Sequence, residues 1–345
     1  MDLKVFSSLL NQFASSIIII FVVFGCRSAE ELPEERQLHY YQHSPLNKVE
    51  ELETVIDGIE RIIVSSHYDI YFFDEDARMS VEKIEENPEL LEEADSRFDI
   101  ETKAGTGIVI DVANGHPLIL TTNHLIDQPD TLTFHYEDDF GEETGIGEIH
   151  LADRKERYLA SARELGDLKL LVSDEERDVA LLTTENPYEL EDPMNEYAIR
   201  KGDAQKLDWG SKVFTIGFPL GNKMVSIASV SEPNRDDRGS FLVDALFNPG
   251  FSGGAVLAVN NDDFNLELVG MARSASATSD FVLRPEQSSI SRHHDIIRYE
   301  GPVFAEHKQD INYGIVFSVS ILIIEQVIEE NRAILEAYDF DPFDN

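Results

Sequence analysis

The heptad Asn248-Pro249-Gly250-Phe251-Ser252-Gly253-Gly254 places a serine among three glycines, between two apolar segments at residues 241–247 and 255–259. Both segments have the composition of β-strands, so the serine is expected in a tight turn at the end of a strand. In such a turn Gly250 can adopt backbone angles closed to other residues. The N–H groups of Gly250 and Ser252 could then point at one position, as an oxyanion requires. Taken alone, the heptad is equally compatible with a glycine-rich hairpin that carries an incidental serine.

The composition of the chain limits the classes of partner it can have. With 345 residues and a hydrophobic share of 42%, it is long enough for one large domain or two small ones. It has 28 Lys and Arg residues against 67 Asp and Glu residues, a formal net charge of -39. So acidic a chain repels phosphate backbones and anionic lipid, which argues against nucleic-acid binding and electrostatic docking on membranes. We interpret the excess acid as a solvated surface that keeps the protein soluble.

The first 25 residues have the pattern of a secretion signal. Their apolar run, residues 17–25, is shorter than the ~20 residues that a membrane-spanning helix needs. It ends in Val23-Phe24-Gly25-Cys26, which resembles a bacterial lipobox, in which Cys26 would be diacylated. Cys26 is the only cysteine, so no intramolecular disulfide can form. We expect a lipoprotein signal over residues 1–25 and a polar tether over residues 26–47, with a plain signal peptide as the alternative.

The body of the chain alternates short apolar strands with turns. Strand patterns occur at residues 62–73, 105–111, 117–122, 131–136, 146–151, 168–172, 179–183, 212–216, 224–230, 241–247, 255–259, 266–272 and 313–319. A polar crossing at residues 185–203 separates two halves, which predicts an all-β pair of barrels over about 62–184 and 205–320.

Other segments of the body predict helices or exposed chain. Apolar residues at helical spacing predict a short helix within residues 48–63 and a terminal helix over residues 320–338. The acidic segments 74–99 and 279–310 predict exposed excursions without chemistry. No zinc-finger or HExxH spacing occurs, so we predict no metal site and no cofactor.

Three residues, in the order His124, Asp178 and Ser252, have the chemistry of nucleophilic catalysis. A serine hydroxyl is a poor nucleophile at neutral pH and needs a base within hydrogen-bond reach. An imidazole serves as that base, and a carboxylate fixes its tautomer and stabilises its cation. Of the ten histidines, only His124 directly follows a predicted strand within a small polar setting, Thr121-Thr122-Asn123. A lone histidine is more often a structural residue, so the spacing by itself leaves both interpretations open.

Motifs in sequence order resemble the HtrA/Deg branch of the trypsin-like serine proteases. Thr121-Thr122-Asn123-His124 resembles the family's histidine motif, Arg177-Asp178-Val179 its aspartate motif, and the heptad around Ser252 its nucleophile motif. The full set of similar segments is residues 105–110, 120–126, 176–182, 209–219, 244–256 and 312–319. Each match is moderate, and their order along the chain makes the resemblance specific.

The resemblance implies a fold, an activity and a set of roles. The fold would be two six-stranded antiparallel β-barrels of the chymotrypsin/trypsin type with a C-terminal helix, over residues 48–338. Ser252 would attack the scissile carbonyl of a protein or peptide substrate, His124 would act as its base, and Asp178 would orient His124. The N–H groups of Gly250 and Ser252 would hold the oxyanion. Relatives often form homotrimers, and with the lipid anchor at Cys26 the domain would lie in the bacterial cell envelope, facing the periplasm or the outside.

The chain departs from the family pattern next to the serine. Phe251 stands where a small or amide residue is usual, and Ala255 where proline is usual. Phe247, Asn248 and Phe251 are expected to line the substrate pocket, which predicts an apolar or shallow pocket without preference for Arg or Lys. We also expect no PDZ domain after the terminal helix.

Two other interpretations are compatible with parts of the sequence. Residues 250–254 also fit the G-x-S-x-G elbow of α/β-hydrolases, but no βα alternation precedes the serine, and the later histidines lie in a polar segment. The second alternative is a catalytically silent trypsin-fold lipoprotein that acts as a binding or scaffold protein. The complete set of three catalytic residues argues against it.

Overall fold

The computed structural model describes residues 49–138, 140–189, 197, 199–245, 248–260, 265–285 and 303–343. The signal, the polar tether, Cys26 and Phe247 lie outside the described residues, so the expectations for them stay predictions. Within those ranges, no helix is both long enough and apolar enough to cross a bilayer.

The first half is an antiparallel sheet of seven strands. They are β1 (Ile59–Phe72), β2 (Asp95–Ala113), β3 (His116–Thr121), β4 (Thr131–Glu137), β5 (Glu143–Leu159), β6 (Leu168–Asp174) and β7 (Val179–Thr184). They lie in the order β4-β5-β1-β2-β3-β7-β6. The core of this half lies on the central strands, where Ile62, Ile108 and Leu120 are fully buried.

The second half is a closed barrel. Its strands are β8 (Lys212–Gly217), β9 (Met224–Glu232), β10 (Phe241–Val243), β11 (Ala255–Val259), β12 (Leu266–Pro285) and β13 (Val303–Ser320). They close in the order β10-β13-β12-β11-β8-β9. The predicted all-β fold in two halves is confirmed. The first half differs in detail from a closed six-stranded barrel, because it has seven strands and β4 and β6 form its two edges.

Short helices flank and connect the strands. They are α1 (Val49–Asp57), α2 (Val81–Glu86), α3 (Glu89–Glu93), α4 (Asn123–Ile126), α5 (Ile321–Glu330) and α6 (Arg332–Glu336). The Ser320 hydroxyl caps α5 by accepting a hydrogen bond from the Ile323 N–H. The single terminal helix that we expected over residues 320–338 is instead two helices, because Asn331 between them has non-helical angles (φ -112, ψ 15).

Both acidic excursions contain strands that the charge pattern does not predict. β1 and β2 remain paired as far as Phe72 and Asp95, and β12 and β13 as far as Pro285 and Val303. Residues 95–102 are exposed on both faces of β2. The run of charge therefore correctly indicates that the side chains of residues 95–102 are solvated, whereas the pairing of the backbone depends on a partner strand distant in sequence.

Candidate active site

His124 and Asp178 meet because their strands pair. β3 ends at Thr121 and is antiparallel to β7, with Thr121 opposite Ala180. The chain leaves β3 into the one-turn helix α4, which carries His124, and it enters β7 directly after Asp178. Antiparallel pairing therefore brings residues 54 positions apart in sequence to one end of the sheet.

Asp178 binds both the imidazole and the backbone N–H of His124. The Nδ1 atom of His124 lies 2.9 Å from Oδ2 and 3.1 Å from Oδ1 of Asp178. The backbone N–H of His124 also donates to Oδ1, at 2.9 Å. An ionised carboxylate only accepts hydrogen bonds, so Nδ1 carries the proton and Nε2 is the basic nitrogen. The carboxylate side chain is 6% exposed and the imidazole 49%, which leaves the base open to a substrate.

Arg273 is a third partner of the carboxylate. Its Nε donates to Oδ2 of Asp178 at 3.0 Å. Arg273 lies on β12, on the second barrel, 95 residues from Asp178. Sequence reasoning missed it because no motif residue marks it, and its contact depends on how the two halves pack. Its side chain is 46% exposed, so solvent screens the ion pair.

These contacts set the ionisation of Asp178. Burial raises the pKa of Asp178, whereas the hydrogen bonds from His124 and the charges of His124 and Arg273 lower it. The net result is a pKa below the ordinary value of 3.8. The carboxylate therefore stays charged throughout the neutral range.

The stability of the protein should depend on this carboxylate at acid pH. Because its folded-state pKa is lowered, Asp178 stabilises the fold above about pH 4, and this contribution is lost as pH falls through the folded value. We expect Asp178→Asn to reduce the slope of unfolding free energy against pH in that window by up to about 1.4 kcal/mol per pH unit. Urea unfolding from about pH 5 to pH 2 measures the slope. The same slope in both proteins would contradict the expectation, and Asp76→Asn, at an exposed position, is the control.

The loop that carries Ser252 begins with a tight turn. The N–H of Phe251 donates to the carbonyl of Asn248 at 3.0 Å, with Pro249 second and Gly250 third in the turn. Gly250 has φ +98, as the third residue of a type II turn requires. A Cβ on Gly250 would lie 2.4 Å from the carbonyl oxygen of Phe218. Glycine is therefore required here both for its backbone angle and for space.

The carbonyls of this loop determine where its N–H groups point. The carbonyl of Pro249 accepts from the N–H of Leu220 at 2.8 Å, and that of Phe251 accepts from the N–H of Gly254 at 2.9 Å. In a trans peptide the N–H points opposite to the C=O. The N–H groups of Gly250 and Ser252 therefore point away from these two bonds, and among the described residues neither donates to an acceptor.

The other predicted site residues in the described chain are Ser252, Asn248 and Phe251. The Ser252 hydroxyl makes no hydrogen bond to His124 in the described chain, and such bonds are often long without substrate. Asn248, the first residue of the turn, is partly exposed. Phe251 is 2% exposed and packs near Gly217 and Gly254, so it supports the turn from within the core. This differs from the pocket position expected for Phe251, because the turn directs its side chain inward.

Comparison with known proteins finds similar peptidases. Residues 105–271 match the family model of a trypsin-like peptidase domain. The chain is 30% identical over 174 residues to the periplasmic pH-dependent serine endoprotease DegQ of Escherichia coli K12, covering 48% of this chain and 30% of DegQ. It is 29% identical over 175 residues to a probable periplasmic serine protease do/HhoA-like of Haemophilus influenzae, covering 48% and 30%. The match thus spans about a third of the length of these relatives.

A solved structure of the Rv3671c protease from M. tuberculosis, in its active form, covers 85% of this chain and 92% of that one. Its sequence identity is 12% and its TM-score 0.39, too low to bear on the site. Residues 105–271 thus match a trypsin-like peptidase domain, and the closed six-stranded barrel and the open first sheet are consistent with that class. The resemblance to HtrA/Deg-like serine proteases that the motifs indicate is confirmed by the similarity to these two relatives.

Proposed function

We propose that this protein is a serine endopeptidase with Ser252 as nucleophile, His124 as base and Asp178 as the residue that orients the base. The observation that carries the proposal is the pair formed by the buried Asp178 carboxylate and the half-exposed His124 imidazole. It fixes the tautomer that a base needs for taking a proton from a serine hydroxyl. The N–H groups of Gly250 and Ser252, which donate to no acceptor within the described ranges, support an oxyanion hole beside it.

Peptide hydrolysis then proceeds in two halves. Ser252 Oγ attacks the scissile carbonyl carbon while His124 Nε2 takes the hydroxyl proton, and the negative oxygen is held by the N–H groups of Gly250 and Ser252. His124 gives the proton to the leaving amine, the C–N bond breaks, and an ester on Ser252 remains. His124 next takes a proton from water, which attacks the ester. His124 then returns the proton to the Ser252 oxygen as the ester bond breaks and the carboxylic acid product leaves.

The substrate pocket belongs to the proposal as well. Phe247 precedes the turn and Asn248 begins it, where trypsin-like enzymes line the pocket for the residue on the acyl side of the cut bond. We propose an apolar or shallow pocket that does not favour Lys or Arg.

We further propose that the protein is exported to the bacterial cell envelope and lipid-anchored through Cys26. Both relatives are named as periplasmic proteases, which supports export. The lipobox-like sequence supports the anchor. A homotrimer remains a prediction from the family resemblance.

Digestion of a peptide library with the full-length protein tests the activity and the pocket together. We expect cleavage after apolar residues and no cleavage by Ser252→Ala. Uncleaved peptides with folded wild-type protein would instead favour a silent, trypsin-fold binding protein. Equal cleavage by Ser252→Ala would assign the activity to a contaminant.

Arg273 should influence the acid stability of the site. Its positive charge lies beside the Asp178 carboxylate and lowers the pKa of that carboxyl. We expect Arg273→Gln to raise that pKa, so the stabilisation by this carboxylate is lost at a higher pH than in the wild type, and added salt should diminish the difference. Urea unfolding between about pH 5 and pH 2 measures this. Arg97→Gln, which removes an exposed arginine paired with Glu148, is the control. The same pH dependence in Arg273→Gln and the wild type would contradict the expectation.

A further inference from the structure

Thr106 lies where the first sheet contacts the nucleophile loop of the second barrel. It is a fully buried residue of β2. Its hydroxyl donates to the carbonyl of Gly250 at 2.8 Å and accepts from the N–H of Phe218 at 3.0 Å. Its own N–H donates to the carbonyl of Ser252 at 2.8 Å. A single threonine thus uses its side chain and backbone to bind two residues of the loop.

These bonds complete a series along the loop. The carbonyls of Pro249 and Phe251 are held by the N–H groups of Leu220 and Gly254, and those of Gly250 and Ser252 by Thr106. All four successive carbonyls therefore have a donor within the protein. Rotation of any one of these peptides would break a hydrogen bond, which opposes the glycine's intrinsic freedom at Gly250.

The same threonine is joined to the strand that leads to the base. The hydroxyl of Thr121, the last residue of β3, donates to the carbonyl of Thr106 at 2.7 Å. Three residues later the chain reaches His124. Thr106 therefore connects the segment carrying the nucleophile, on one half, with the segment carrying the base, on the other.

We propose that Thr106 is a positioning residue that holds the backbone of Gly250 and Ser252, through their carbonyls, so that the adjacent oxyanion N–H groups keep the active arrangement. This inference rests on the proposed function. The hydroxyl is the essential part, because valine has the same shape and would leave the carbonyl of Gly250 and the N–H of Phe218 unpaired in a dry site. The peptide between Gly250 and Phe251 would then keep only the bond from the Phe251 N–H to the Asn248 carbonyl, while the surfaces that bind substrate would be unchanged.

Three variants on β2 separate positioning from structure. Thr106→Val removes the hydroxyl, and Thr106→Ser keeps it. Thr102→Val removes a hydroxyl four residues earlier whose hydrogen bonds, among the described residues, go only to Ser65. We expect Thr106→Val to lower kcat about 10²-fold with KM within about twofold, as loss of an oxyanion donor does. Thr106→Ser and Thr102→Val should keep kcat within about threefold of wild type.

Inhibitor binding distinguishes a positioning role of Thr106 from a merely structural one. A peptidyl boronate forms a tetrahedral anion on the serine, whereas the product peptide does not. We expect Thr106→Val to weaken binding of the boronate by about the same factor as it lowers kcat. The affinity for the product peptide should be unchanged. Should Thr106→Val fail to fold, Thr106→Ala assayed below its melting temperature serves in its place.

These measurements distinguish the role of Thr106 from the proposed protease function. Wild-type kcat in folded Thr106→Val, or an equal loss in Thr106→Ser, would overturn the role of Thr106 and leave the protease assignment intact. An equal loss of affinity for the boronate and for the product peptide would also overturn the role of Thr106. A folded wild-type protein that cleaves nothing would overturn both.

Discussion

Replacing His124 with alanine is expected to lower kcat about 10⁶-fold, the largest effect of any substitution in this protein. The loss is large because without the imidazole the Ser252 hydroxyl has no acceptor for its proton and the leaving amine has no donor. The remaining rate should come from substrate binding and the oxyanion N–H groups alone. Initial rates with the best library peptide, at enzyme concentrations high enough to detect slow turnover, measure it.

His135→Ala is the matched control for this substitution. His135 is also a histidine beside a carboxylate, with Nδ1 3.5 Å from Glu143, but it lies on β4. We expect its removal to leave kcat within about twofold of wild type. A His124→Ala protein within tenfold of the wild-type rate would show that another group acts as the base.

Replacing Asp178 with asparagine is expected to lower kcat about 10⁴-fold, with little change in KM. The amide keeps the size of the carboxylate but carries no charge. Its NH₂ group, turned toward Nδ1, would favour the tautomer with the proton on Nε2, where no proton can be accepted from serine. The variant also removes the charge that Arg273 contacts. Steady-state kinetics at neutral pH separate kcat from KM.

Asp174→Asn is the control for loss of a paired carboxylate in the same region. Asp174 ends β6 and pairs with Arg177, next to Asp178 in sequence. Its replacement should lower thermal stability and leave kcat within about threefold. Similar losses of kcat in both variants would mean that the region acts through folding rather than through the tautomer of His124.

The sequence predicts the part of the site that local motifs encode. The histidine and aspartate motifs each end or begin a strand, and antiparallel pairing of those strands brings His124 and Asp178 together. The turn around Gly250 follows from local chemistry as well, because proline and glycine occupy the positions that a type II turn favours.

Arg273 and Thr106 could not be predicted in the same way. Arg273 contacts a carboxylate 95 residues away, and the hydroxyl of Thr106 contacts a carbonyl 144 residues away. Both contacts cross between the two halves, so they depend on how the halves pack and not on local pattern. The burial of Phe251 depends on the direction in which the turn points its side chain, which composition does not reveal.

We propose that Ser252 is a nucleophile activated by His124. Labelling the folded full-length protein with a serine-reactive fluorophosphonate, followed by peptide mass mapping, tests it most directly. We expect one adduct, on the peptide that contains Ser252, with no labelling of Ser252→Ala and strongly slowed labelling of His124→Ala. Absence of an adduct on folded wild-type protein, or an adduct that persists in Ser252→Ala, would contradict the assignment.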